Sequence, residues 1–159
     1  MAILVMEKPQ TTDLLRSGDG KAWEDLVLEY QRPLSRYLYN MVRDEEWDLA
    51  TDEDNAIRGA LYYFVDAEDV IPDHIPGLGY LDDALYAEIV IRSLEAEIET
   101  YQEFCRYRST EENRRRKEGL DPYVGREDWL ADKRAVLHLR MRQRRSRRAS
   151  GNGWGVRLF

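Results

Sequence analysis

Four aspartates, Asp69, Asp73, Asp82 and Asp83, stand close together in a stretch rich in proline and glycine. Carboxylates converging on a short loop suit Mg²⁺, Mn²⁺ or Ca²⁺, hard cations that take oxygen ligands. His74, within the same stretch, would extend the site to a transition metal. The order of the acidic residues is not that of an EF-hand loop. Aspartate also has a purely architectural use, because at the start of a helix it accepts hydrogen bonds from free N–H groups. Two readings stand side by side here: an oxygen-ligand site for a divalent ion, and a set of caps and turns.

A different chemistry is written near the other end. Arg140, Arg142, Arg144, Arg145, Arg147 and Arg148 crowd one short segment, which follows Arg114-Arg115-Arg116-Lys117 after a single loop. Guanidinium forks match phosphate oxygens, which makes RNA, DNA and an anionic membrane surface candidate partners. Carboxylate is the competing partner, supplied by the acidic region of the same chain or of a second copy. Beyond the arginines, Trp154 and Phe159 place aromatic anchors on a glycine-rich end, in the form of a docking peptide.

Other reaction chemistries find no support. His74, His138 and the lone Cys105 do not make a zinc site, and Cys105 lies in an apolar row as a core thiol. There is no G-x-S-x-G element, phosphate-binding loop or dinucleotide fingerprint. No catalytic residue is assigned, and no cofactor is expected unless a divalent metal occupies the motif aspartates.

The elements that position these residues are helical. Across 159 residues the net charge is −7, but residues 1–105 carry −16 and residues 106–159 carry +9. A single cysteine needs no oxidising compartment. The apolar opening Met1 to Met6 stops at Glu7-Lys8-Pro9, without the form of a secretory leader. The best apolar stretch, Ala84 to Leu94, is interrupted by Glu88 and Arg92 and is too short to span a bilayer. A cytoplasmic location is expected.

Thr12-Asp13 has the form of a cap for a short first helix. Trp23, Leu26, Val27, Tyr30, Leu34, Tyr37, Leu38 and Met41 step at three and four, with Pro33 either kinking one helix or dividing two. Asp44 to Asp54 reads as a solvated acidic connection. Ala84, Ala87, Ile91, Leu94, Ile98, Tyr101 and Cys105 form a heptad-like seam, which predicts one central helix over 83–108. Gly119 is a candidate C-cap. A last helix is predicted from near Glu127, with a flexible tail over 150–159.

Ala60-Leu61-Tyr62-Tyr63-Phe64 precedes Asp69-Val70-Ile71-Pro72-Asp73-His74-Ile75-Pro76-Gly77-Leu78-Gly79-Tyr80-Leu81-Asp82-Asp83. This stretch, within residues 57–94, resembles the YkvA-like domain of unknown function. That family is marked by an apolar helix running into D-x-I-P-D-x-I-P-x-x-G-x-x-D-D and then by a second apolar helix. The resemblance implies a bacterial protein with a helical hairpin and carries no assigned chemistry. Leu14 to Leu26, with Tyr30 and Pro33 to Arg36, is similar to the opening of extracytoplasmic-function sigma factors, whose corresponding helices grip RNA polymerase. That likeness stops near Arg43, and no promoter-reading helix-turn-helix follows.

The expected fold is all-α: one helical-bundle domain over 1–149 with a Pro/Gly-rich hairpin loop, a basic C-terminal helix and a tail. The expected function is a non-enzymatic interaction or regulatory module with a charge-segregated surface, meeting a protein partner or a second copy. Its alternatives are a divalent-metal enzyme using the motif aspartates and a nucleic-acid-associated protein using the arginine end. Peripheral membrane contact ranks below these, and no transmembrane segment is expected.

Overall fold

The structure, a computed structural model, describes residues 18, 20–26, 29, 32–65 and 81–151. They form α1 (Gly20–Leu26), α2 (Arg32–Arg43), α3 (Thr51–Val65), α4 (Leu81–Ser93), α5 (Glu95–Lys117) and α6 (Arg126–Gly151). No strand occurs among the described residues, and the fold is all-α as the periodicity predicts. The chain divides into two compact units, Met1–Leu94 and Glu95–Phe159. None of the described helices is long and apolar enough to cross a membrane. The predicted Thr12-Asp13 cap lies outside the described residues.

In the first unit α2 packs on α3 and α1 on α4. Pro33 divides two helices instead of kinking one: it sits in the first turn of α2, where its missing N–H has no helical partner to lose. Leu34, Leu38 and Met41 follow on the buried face of α2, and Ile57 and Ala60 line that of α3.

The acidic segment between these helices is more than a solvated connection. The Asp44 carbonyl accepts the N–H groups of Trp47 at 3.0 Å and Asp48 at 3.3 Å, and its carboxylate accepts the Glu46 N–H at 3.1 Å. Asp48 then takes a left-handed backbone, φ 52°, a conformation that aspartate tolerates better than most side chains. The resulting tight turn delivers Trp47 into the core at 0% exposure. Glu53 is buried as well, because its Oε2 reaches back to accept the Ala50 N–H at 3.1 Å, half of a capping box at the start of α3.

The predicted helix over 83–108 is two helices. α4 ends at Ser93, Leu94 forms a turn and α5 begins at Glu95. At the break the Ser93 hydroxyl donates to the Val90 carbonyl at 3.2 Å, and the Leu94 N–H donates to the same carbonyl at 2.9 Å. Side-chain competition for a helix carbonyl is a known cause of such interruptions. Heptad spacing runs unbroken through Leu94, Ile98 and Tyr101, so periodicity alone does not disclose the division.

In the second unit α5 and α6 pack together. Burial in α5 is confined to its first half: Ala96, Glu97, Ile98, Thr100, Tyr101 and Phe104. Cys105 is half-buried, with the Arg108 guanidinium 3.7 Å from its sulfur, so the predicted core thiol has a charged neighbour. The turn after α5 is a Schellman motif. Leu120 N–H bonds the Arg115 carbonyl at 2.8 Å, Gly119 N–H bonds that of Arg116 at 3.1 Å, and Gly119 takes φ 74° as the residue with no Cβ to clash. α6 opens at Arg126, one residue from the predicted start, and runs to Gly151, past the predicted beginning of the tail. Its buried positions are Leu130, Leu137 and Met141.

Candidate functional site

Four arginines of the basic end meet glutamates of α5. Arg148 pairs with Glu95, Arg145 Nε lies 3.2 Å from Glu97 Oε1, Arg144 Nη1 2.5 Å from Glu99 Oε2, and Arg140 Nη1 2.5 Å from Glu103 Oε2. Lys133 Nζ adds a second cation to Glu103 at 2.8 Å. As the α5 position rises the α6 position falls, which defines an antiparallel ladder. Each Glu–Arg pair is centred on the Asp121-Pro122 loop to within a residue. Beyond the ladder, Arg126 Nη2 meets Glu112 Oε1 at 2.7 Å next to the loop.

The rungs differ in kind. Most are half-exposed pairs, each worth about 0.2–1 kcal/mol in water and weakened by salt. Glu97 is the exception, a carboxylate only 1% exposed. It shares the buried stripe of α5 with Tyr101 and Phe104, so its charge is held among apolar neighbours and its loss of hydration is offset in part by Arg145.

The second basic cluster is engaged too. Arg114 bonds Glu111 at 2.6 Å and Glu118 at 2.7 Å, Arg115 bonds Glu111 at 2.9 Å, and Arg116 lies 3.5 Å from Glu112. Hydrogen bonds from Arg114 and then Arg115 push Glu111 down to about 2 from the usual 4.5. Glu103 is also lowered, chiefly by its hydrogen bond from Lys133 and against a smaller opposing effect of burial, with Arg140 adding to the shift. A carboxylate lowered on folding stabilises the fold above its unfolded pKa and loses that contribution as pH falls through the folded value. The melting temperature is therefore expected to fall as pH drops below about 4.5 and to keep falling toward 2, a slope that Glu111→Gln should flatten in a circular-dichroism titration.

At the loop end of the hairpin, Trp129 is flanked by two guanidinium groups, Arg115 at 5.2 Å and Arg126 at 5.3 Å from its ring centre. The Tyr107 hydroxyl donates to the Trp129 carbonyl at 3.2 Å, and Lys133 sits 5.5 Å over the Tyr107 ring. Cation–π contacts of this kind tie basic side chains to the hairpin itself.

The predicted site residues thus part company. Arg140, Arg144, Arg145 and Arg148 come together with α5 glutamates, and Arg142 and Arg147 are exposed. Asp82 and Asp83 fall in the first turn of α4. Asp69, Asp73, His74, Trp154 and Phe159 lie outside the described residues. Among the described residues no group of His, Cys, Asp and Glu has the geometry to hold a metal ion. Sequence reasoning named acidic residues of the same chain as partners for the arginines but not which ones, although that signal was present: folding the chain at Asp121-Pro122 brings Glu95, Glu99 and Glu103 into register with Arg148, Arg144 and Arg140.

The first unit has its own clasp. Tyr63 of α3 stacks on Tyr86 of α4 with ring centres 3.5 Å apart, and Phe64 meets Tyr86 edge-on at 5.3 Å. Burial, and then the neighbouring Tyr63, raise the Tyr86 phenol above its usual 10. These contacts join the helices on either side of the Ile-Pro stretch.

Fold and ladder together define an all-α protein with a charge-paired helical hairpin at its basic end. The family model described as "Protein of unknown function (DUF1232)" matches residues 56–87, most of α3 through the first half of α4 with the aromatic clasp at both ends. The matched residues carry the YkvA-like resemblance and leave out the N-terminal likeness to sigma factors. No curated protein and no solved structure matches the chain.

Proposed function

We propose that the protein is a non-enzymatic interaction module of the bacterial cytoplasm whose arginine-rich helix is committed to its own acidic neighbour. The ladder between Glu95, Glu97, Glu99, Glu103 and α6 is the observation that supports this reading. Arginines already paired with carboxylates must break those contacts before meeting phosphate, so an external polyanion has to compete with an acceptor held close by on the same chain. The reading requires neither nucleic acid nor a divalent ion, and partners would use what the ladder leaves exposed.

Its test is a binding titration of the full chain against a fluorescent RNA duplex at about 0.15 M salt. Wild type is expected not to bind, whereas E95Q/E99Q/E103Q, which frees arginine forks, is expected to gain salt-sensitive affinity. Binding by wild type, with log affinity falling steeply against log salt, would overturn the proposal in favour of a nucleic-acid role.

A further inference from the structure

Burial along α6 stops before the helix does. Leu130, Leu137 and Met141 are each 0% exposed, whereas none of the described residues 142–151 is buried: Arg145 is half-buried and the rest are exposed. The one apolar side chain of this last stretch is the methyl group of Ala149, so hydrophobic docking ends at Met141 with about 15 Å of helix still to run. Charge ties that remainder to α5, through Arg144 to Glu99, Arg145 to Glu97 and Arg148 to Glu95. Glu103 belongs to the docked side, because Lys133 and Arg140 both reach it from within the buried stretch. The remainder also carries five arginines, Arg142, Arg144, Arg145, Arg147 and Arg148, and no carboxylate. Arg144 and Arg148 at i,i+4, and Arg145 and Arg148 at i,i+3, repel on the helix surface. Glutamates of α5 offset that repulsion for as long as the contact holds.

We infer that residues 142–151 are an electrostatic strap, which leaves α5 and loses helical order as one unit hinged at Met141 while residues 126–141 stay docked. The inference rests on the proposed reading, that these arginines are committed to α5, and adds how the ladder opens: from the end far from the Asp121-Pro122 loop and not along its whole length. An external polyanion therefore gains Arg144, Arg145 and Arg148 together, against the resistance of three rungs and not of the hairpin core. Salt weakens the exposed rungs most. The Arg145–Glu97 rung, whose carboxylate is 1% exposed, is screened least and keeps the open state a minor one.

Hydrogen–deuterium exchange of the full chain at about 0.05 M and about 1 M salt, read by mass spectrometry, tests it. Protection of amides 142–151, taken relative to an unstructured peptide at the same salt, is expected to fall about tenfold between the two, while that of 130–141 changes less than about twofold. E95Q/E99Q, which keeps Glu103 and the docked side, should lower protection of 142–151 about tenfold at the lower salt and remove most of its salt dependence. Strap protection indifferent to salt, an equal loss over 130–141, or E95Q/E99Q matching wild type would each overturn the inference. Exchange is measured without RNA, so failure of the strap and failure of the proposed function in the RNA titration are distinguishable.

Discussion

Trp47→Ala is expected to destabilise the fold by about 4 kcal/mol, the upper range for truncating a fully buried aromatic. The side chain is 0% exposed, yet it comes from a short acidic loop and not from a helix. Removing it leaves a cavity that cannot close without disturbing the turn, since the Asp44 carbonyl and carboxylate and the left-handed Asp48 together set where residue 47 points. Small domains are stable by only about 5–15 kcal/mol, so the variant should lose a large share of its stability. Urea denaturation followed by circular dichroism measures the loss. Tyr62→Ala is the matched control: that ring is 75% exposed, and its removal should stay within about 0.5 kcal/mol. Equal effects for the two variants would show that Trp47 does not anchor the core.

Arg145→Ala has the second largest expected effect, about 2 kcal/mol. A fully buried pair broken on one side costs about 3–5 kcal/mol, and the partial exposure of Arg145 brings the figure down. What makes this rung unequal to the others is Glu97, whose buried carboxylate loses its guanidinium neighbour. Adding Glu97→Gln to the variant removes the buried charge and should recover most of the loss. Arg144→Ala, in contrast, leaves a solvated Glu99 and should cost less than about 1 kcal/mol. Salt sharpens the distinction, since screening erodes the exposed rungs far more than the buried one. A loss in Arg145→Ala that Glu97→Gln does not repair would show that Arg145 acts through packing of its stem and not through the buried charge.

Local grammar made much of the fold legible. Gly119 at a helix end and acidic residues opening α6 are signals whose physics is complete within a few residues, because caps, φ preferences and the helix dipole act over one turn, whereas Pro33 left one kinked helix and two separate ones both open. The apolar steps Leu34, Leu38 and Met41 likewise announce a buried face, whereas of the apolar set Trp129, Leu130, Val136, Leu137 and Met141 in α6 the fold buries Leu130, Leu137 and Met141 and leaves Val136 54% exposed. The division at Leu94 was not legible, since a heptad period constrains which face is apolar and not whether the helical ladder continues. Trp47 was hidden for a related reason: a tryptophan among Asp44, Glu45, Glu46 and Asp48 has no periodic partner to reveal its burial.

Charge shows most clearly where sequence ends and structure begins. Composition by itself determined that the chain is acidic over residues 1–105 and basic over 106–159, and that its arginines suit phosphate or carboxylate equally. Tertiary structure drew the boundary elsewhere, between Leu94 and Glu95, placing Glu95, Glu97, Glu99 and Glu103 in the same compact unit as the arginines. With those four residues counted in, the second unit carries net +5 and the first net −12. Whether an arginine meets a neighbour's carboxylate depends on a distance of a few ångströms between residues some 37 to 53 positions apart. That distance is set by the Schellman turn at Gly119 and by packing of α5 on α6, neither of which a net charge contains.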